Sequence, residues 1–223
     1  NCAGIDIVDS PSSQFHFVAP ENCQRCTRLA TFIDSHRAAH PDWHNGPVPS
    51  FGPINASILI LGLAPGLRGA NATGRPFTGD FAGKVLYDTL IKIGLASGDY
   101  AAHANDGLVL RHVRIANAVR CVPPQNKPVA AEIAMCRPYL SAEIAAMTGL
   151  KAIFVLGRIA HETVLRHFGL KLADYPFSHD QALELPNSLQ LISSYHCSRY
   201  NVQTGRLTTQ MFDKVCARLT NFI

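Results

Sequence analysis

Cys23 and Cys26 form a C-x-x-C pair near the start of the chain, and Cys121 and Cys136 follow far downstream. Thiolates are soft anionic ligands, and four of them can hold one tetrahedral zinc ion or one iron–sulfur cluster. A zinc ribbon draws on two close C-x-x-C pairs, so the wide second spacing leans towards iron–sulfur. Such a centre would tie the N-terminal segment to the middle of the chain. No motif for an electron-transfer partner is visible, which gives the centre a structural role. The plainer alternative is a redox C-x-x-C with two unrelated core thiols. Seven cysteines is an odd count. It fits a reducing compartment better than a fully disulfide-paired secreted protein. Of the other three (Cys2, Cys197 and Cys216), Cys216 shares a helical face with Phe212, Val215, Leu219 and Phe222 and reads as core.

Three further groups could act on a substrate. The first is the glycine-rich stretch GLAPGLRGANATGRPFTGD, ending at Asp80. Small residues such as Ala64, Pro65 and Gly66 let backbone N–H groups approach a ligand closely. The stretch matches neither the G-x-x-x-x-G-K-[ST] nor the G-x-G-x-x-G pattern. Within it, Phe77 can stack on a planar ring, and the Asp80 carboxylate can orient a water molecule. Asp80 can equally cap the helix that follows, and the two roles are compatible. The second group is Asn117, an amide in an apolar strand that needs partners. Its one acceptor and two donors suit a nucleobase edge, or equally a buried backbone contact. The third is His196, directly after an apolar run, with Arg199, Tyr200 and Arg206 beyond it. These could meet phosphates or wedge a duplex, or form a solvated basic loop. His40, His44, His161 and His167 are expected at the surface.

These residues need a frame. Residues 57–63 (SILILGL), 113–119 (VRIANAV), 151–156 (KAIFVL) and 189–194 (LQLISS) are short apolar runs that read as buried strands. Helical patterns over 21–40, 81–95, 128–147, 160–168 and 208–222 alternate with them. Cys23 and Cys26 would then share a helix face, and Pro138 would break its helix beside Cys136. The alternation gives an α/β fold with four strands in a mostly parallel sheet. In such a fold the active site lies beyond the carboxyl ends of the strands. The stretch from Ala64 to Asp80, Asn117 and His196 all fall there.

With 223 residues, 47% apolar and 16% charged, the chain reads as one globular domain over 1–223, irregular over 1–20. A net charge of +4 permits a polyanionic partner without requiring one. No apolar run approaches a membrane span. The first residues lack the features of a secretory signal, and the missing initiator Met suggests trimming or a fragment. A cytoplasmic, intracellular protein is expected.

Together, GLAPGLRGANATGRPFTGD, NAVRCVPPQNKP, HCSRYNVQTGRLT and the four cysteine spacings resemble the uracil-DNA glycosylase superfamily, in its iron–sulfur type-b branch, also called family 5. The resemblance runs from Cys23 to Thr208, nearly the whole chain. It implies a three-layer α/β/α fold around a four-stranded sheet and a structural [4Fe–4S] cluster on Cys23, Cys26, Cys121 and Cys136. It also implies hydrolytic excision of uracil, and of other deaminated bases, from DNA. Phe77 would stack under the flipped base, Asn117 would read its edge, and His196 would bond the pyrimidine O2 as negative charge develops. Two departures stand out. Other branches place Asp or Asn in the first motif, where this chain has Ala64-Pro65-Gly66, so Asp80 is the replacement candidate. Related iron–sulfur enzymes often carry H-P-S-P where this chain has His196-Cys197-Ser198-Arg199, a change expected to alter the shape of the loop that inserts into DNA. A monomer acting on DNA and associated with the nucleoid is expected. The competing readings are a metal-bearing nucleic-acid-binding module without catalysis, and a small-molecule hydrolase or redox protein of flavodoxin-like form.

Overall fold

Five short strands form the spine of the molecule, and four of them are the apolar runs expected from the sequence. The computed structural model describes residues 17–223; Cys2 and most of the segment expected to be irregular lie outside them. Chain order is α1 (Thr27–Ala39), β1 (Ile58–Gly62), α2 (Ala70–Thr73), α3 (Phe81–Lys92), β2 (Ala96–Ser97) and β3 (Val109–Leu110). There follow β4 (Val113–Asn117), α4 (Ala130–Ala146), β5 (Ala152–Leu156), α5 (Arg158–His167), β6 (Gln181–Glu184), β7 (Gln190–Ser194), α6 (Arg199–Gln203) and α7 (Thr209–Ala217). The main sheet has the order β4-β1-β5-β7-β6. The pairs β1–β4, β1–β5 and β5–β7 are parallel.

Every residue of β1, β4 and β5 is buried, which is why β1 and β5 read as continuous apolar runs. Alternate side chains serve opposite faces. Ile58, Ile60, Phe154 and Ile192 pack with Leu86 and Leu90 of α3 and Phe212 and Val215 of α7. Leu59, Leu61, Ile153, Val155 and Leu191 pack with Leu140 of α4 and Val164 and Leu165 of α5. The result is the three-layer α/β/α arrangement. A third apolar cluster joins Leu29 and Ile33 of α1 to Ile133, Cys136 and Tyr139 of α4.

The structure corrects four expectations. The sheet has five strands, because β6 adds antiparallel to β7 at the edge. Its side chains alternate between half-buried and exposed, so no continuous apolar run marks it. Helix α1 begins only at Thr27, with Cys26 as an extended N-cap residue. Cys23 and Cys26 therefore precede the helix and do not share a face of it. Helix α4 continues through Pro138. Proline costs a helix one N–H···O bond, and Cys136, Tyr139, Leu140 and Glu143, buried around it, hold the helix together. Finally, His161 is 1% exposed. Its Nδ1 lies 2.9 Å from Ser193 Oγ and its Nε2 2.9 Å from Tyr175 O. The Tyr175 carbonyl can only accept, so Nε2 donates to it. His40 and His44 are exposed as expected, and His167 is half-buried.

Candidate active site

The carboxyl ends of β1, β4 and β7 open into one cavity of about 570 Å³. Ala64, Pro65, Gly66, Phe77, Asp80, Asn117, His196 and Arg199 all line it, as the sequence reading required. Asn117 is the last residue of β4, opposite Gly62 at the end of β1. It is 3% exposed, and its side-chain amide has no hydrogen-bond partner among the described residues. Its polar atoms are thus held at the cavity wall with nothing among the described residues to satisfy them. Gly62 makes this possible, since a Cβ there would stand 2.5 Å from Asn117 Oδ1 and 2.7 Å from Phe77 Cζ.

His196 stands two residues beyond the end of β7, and its ring stacks at 5.9 Å and 24° on Phe77. Burial pushes the imidazole pKa below the usual histidine value, and the Asp80 carboxylate pulls weakly the other way. The ring is therefore neutral at neutral pH. Neither ring nitrogen bonds a described residue; the backbone carbonyl of His196 instead accepts from Asn201 Nδ2 at 2.8 Å.

Asp80 is the N-cap of α3, with Oδ1 accepting from Gly83 N at 2.8 Å. Its Oδ2 turns towards the first loop, where a Cβ on Gly66 or Gly69 would lie 3.3 or 2.9 Å from it. One carboxylate oxygen thus caps the helix, and the other lies against the Gly66–Gly69 loop. The cap reading of Asp80 is therefore met, and its second oxygen is left free of that bond.

The loop carrying Phe77 and Asp80 is held from behind. Phe77 has φ 51, a left-handed conformation that is costly for a bulky residue. Tyr87 Oη donates to Pro76 O at 2.6 Å, and Arg75 Nε donates to Thr78 Oγ1 at 2.8 Å. Arg75 is paired with Asp106 at 2.7 Å.

Arg206 does not join this cavity. It lies over the Tyr195 ring at 4.6 Å and lines a neighbouring cavity with Gly157, Arg158, Phe177 and Asn201. Leu63 and His196 are common to both cavities. Arg199 lies over Phe81 at 5.5 Å, and Tyr200 is 71% exposed beside it. Sequence reading missed Phe81 and Asn126, which also line the main cavity. Asn126 sits in a turn with φ 57, a conformation asparagine tolerates, between Pro124 and Pro128. The proline bracket was the available signal.

Cys23, Cys26, Cys121 and Cys136 line a separate small cavity together with Leu29, Val119, Met135 and Tyr139. Among the described residues, no three His, Cys, Asp or Glu side chains are placed to hold a metal ion. The thiols surround a space without converging on a point. An all-cysteine donor set around an apolar space fits an iron–sulfur cluster, where the thiolates bind different irons. Burial pushes the thiols of Cys26, Cys121 and Cys136 up, and nearby thiols add to the effect for each. The Arg120 N–H points at Cys136 Sγ, 3.3 Å away, the kind of donor that tunes a bound thiolate. Around this cavity Arg28 of α1 bridges to Glu132 of α4 through two 2.7 Å bonds, and its Nη2 donates to Lys127 O. Glu143 of α4 takes Arg114 Nε at 2.5 Å and Arg120 Nη2, fixing α4 to β4 and its exit. Burial raises the Glu143 pKa, but the two guanidiniums outweigh it and hold the group ionised.

Comparison with known proteins agrees with this geometry. Residues 49–220 match the family model of the uracil DNA glycosylase superfamily. The chain is 43% identical over 199 residues to the type-5 uracil-DNA glycosylase of Thermus thermophilus, covering 86% of this chain and 90% of that protein. It is 36% identical over 201 residues to the type-5 enzyme of Pyrobaculum aerophilum, with 88% and 87% covered. The type-4 uracil-DNA glycosylase of Archaeoglobus fulgidus is 31% identical over 153 residues, 67% of this chain and 69% of that protein. On the strength of the matched domain and these near full-length relatives, the chain belongs to the uracil DNA glycosylase superfamily, within its type-5 branch.

Proposed function

We propose that the protein is a monofunctional DNA glycosylase that hydrolyses the bond between uracil and its deoxyribose, leaving an abasic site. One observation carries the reading. A stacking face at Phe77, an unpartnered amide at Asn117, a neutral imidazole at His196 and the carboxylate of Asp80 meet in one cavity. A base inside a duplex is out of reach of such a pocket, so the target nucleotide must be flipped out. Phe77 then takes the face of the ring. Asn117 offers a carbonyl to the uracil N3–H and an N–H to its O4, a pairing that cytosine does not match.

As the glycosidic bond lengthens, positive charge grows on the sugar and negative charge on the base. His196 donates one N–H to O2 as that charge appears, and a single well-placed donor is worth about 3 kcal/mol. The second oxygen of Asp80 orients the attacking water and faces the cationic sugar. No lysine lines the cavity among the described residues, which favours water over an amine nucleophile. Backbone N–H groups of Ala64, Gly66 and Leu67, with Arg199 and Arg206, contact phosphates on either side of the base. The small Ala64 side chain leaves room for other deaminated bases.

Cys23, Cys26, Cys121 and Cys136 are the ligands we assign to a [4Fe–4S] cluster. When bound, it supplies bracing and no step of the reaction. It ties the lead-in of α1 to α4 and to the exit of β4, with Asn117 only four residues before Cys121. We take the protein to act as a monomer. A thiol-held cluster suits a reducing, intracellular compartment. No helix among the described residues is long and apolar enough to cross a membrane.

The test is incubation with an oligonucleotide duplex containing one uracil. Strand scission only after hot alkali, with no adduct trapped by borohydride, is the expected result. A uracil left intact would favour a binding module without catalysis, and a borohydride-trapped adduct would replace hydrolysis by Schiff-base chemistry.

A further inference from the structure

The segment between β2 and β3 contributes no residue to the cavity lining, yet it reaches the loop that carries Phe77 and Asp80. Asp106 Oδ1 and Oδ2 accept from Arg75 Nη1 and Nη2, each at 2.7 Å. This pair is nearly solvent-free, with side-chain exposures of 0% and 5%. Asp106 Oδ2 also accepts from Ala101 N at 3.0 Å, which seats Tyr100 beside it. The Arg75 guanidinium lies over the rings of Phe51, Tyr87 and Tyr100. Tyr100 comes nearest to the chemistry. Its hydroxyl accepts from Gly79 N at 3.1 Å and donates to Phe77 O at 3.4 Å. Those two groups bracket the turn immediately before Asp80. Burial pushes the Tyr100 pKa up, so the phenol stays protonated and keeps both roles.

We infer that Tyr100, seated by the Asp106–Arg75 pair, is a positioning residue for base excision: it fixes the Gly79 peptide and so aims the Asp80 carboxylate. The left-handed backbone at Phe77 makes such an outside hold necessary, because the turn is uphill for the chain alone. The inference rests on the role proposed above for Asp80.

Tyr100→Phe removes one hydroxyl and leaves the ring, whose centroid lies 4.9 Å from that of Tyr87. Single-turnover excision of uracil from a duplex is compared for the wild type, Tyr100→Phe, Asp80→Asn and the double variant. Duplex affinity and melting temperature are measured alongside. Tyr100→Phe is expected to slow excision about tenfold, with affinity and melting temperature unchanged. The double variant is expected to lose less than the product of the two single losses, because the hydroxyl acts through Asp80. A double variant that loses the full product, or a Tyr100→Phe that melts lower but excises at the wild-type rate, overturns the inference and leaves Asp80 in place. An Asp80→Asn variant at the wild-type rate removes Asp80 from the reaction, and the inference with it.

Discussion

Gly83→Ala tests the geometry of the site through a residue that touches no substrate. Gly83 lies in the first turn of α3, where alanine is the better helix former by about 0.5–1 kcal/mol. Helix propensity alone therefore predicts a more stable protein. The structure predicts the opposite. A Cβ at Gly83 would lie 1.8 Å from Phe77 O and 2.8 Å from Tyr100 Oη. An ordinary carbon–oxygen contact is about 3.2 Å, so the Phe77 carbonyl must retreat by roughly 1.4 Å or the helix must move. Either shift carries Phe77 and Asp80 out of register, because Asp80 Oδ1 is bonded to Gly83 N itself. Misplacement on the order of 1 Å can cost about 100-fold in rate, and overpacking costs about 1–3 kcal/mol. Single-turnover excision and urea unfolding measure the two effects. An active Gly83→Ala protein with raised stability would refute this account of the turn.

Other variants probe the remaining parts. His196→Ala is expected to slow excision by about 100-fold or more, matching the loss of one well-placed donor, with duplex affinity little changed in a gel-shift titration. Asn117→Ala is expected to slow uracil excision about tenfold and to narrow the rate gap between uracil and cytosine, read by single-turnover assays on both duplexes. Cys121→Ser is expected to lower iron content, visible absorbance and melting temperature together, because cluster binding is coupled to folding. Arg75 holds Asp106 at about 2, against 3.8 for the free group. Since the folded value is the lower one, this stabilisation is complete above about pH 4 and is lost as pH falls towards 2. It amounts to about 2 kcal/mol, and urea unfolding of Asp106→Asn should lack that part of the acid dependence.

The strands and the cavity lining could be read from the chain because each rests on a local pattern. Runs such as SILILGL announce a buried strand, and Asn117 and His196 then fall at strand ends by position alone. Asp80 reads as cap or catalyst from the sequence alone, and the structure shows that the cap uses only Oδ1, which leaves Oδ2 available for the role proposed for it. Tertiary features were hidden. The Arg75–Asp106 pair joins residues far apart in sequence, and nothing near Asp106 signals it. β6 is an edge strand whose exposed alternate residues dilute its apolar signal. His161 was expected at the surface, yet the sheet-facing side of α5 buries it against Ser193. Pro138 suggested a break that the packed neighbours of α4 do not permit. Arg206 belongs to the adjacent cavity because α6 carries the chain past the main one.

The central claim is that this cavity flips and hydrolyses a uracil nucleotide through His196 and Asp80. The most direct measurement is single-turnover release of uracil from a uracil-containing duplex by the wild type, His196→Ala and Asp80→Ala, at enzyme concentrations that saturate the DNA. The account predicts rapid release by the wild type and release slowed by about 100-fold or more in both variants, with duplex binding retained. Release at the wild-type rate by either variant, or none by the wild type, would contradict it.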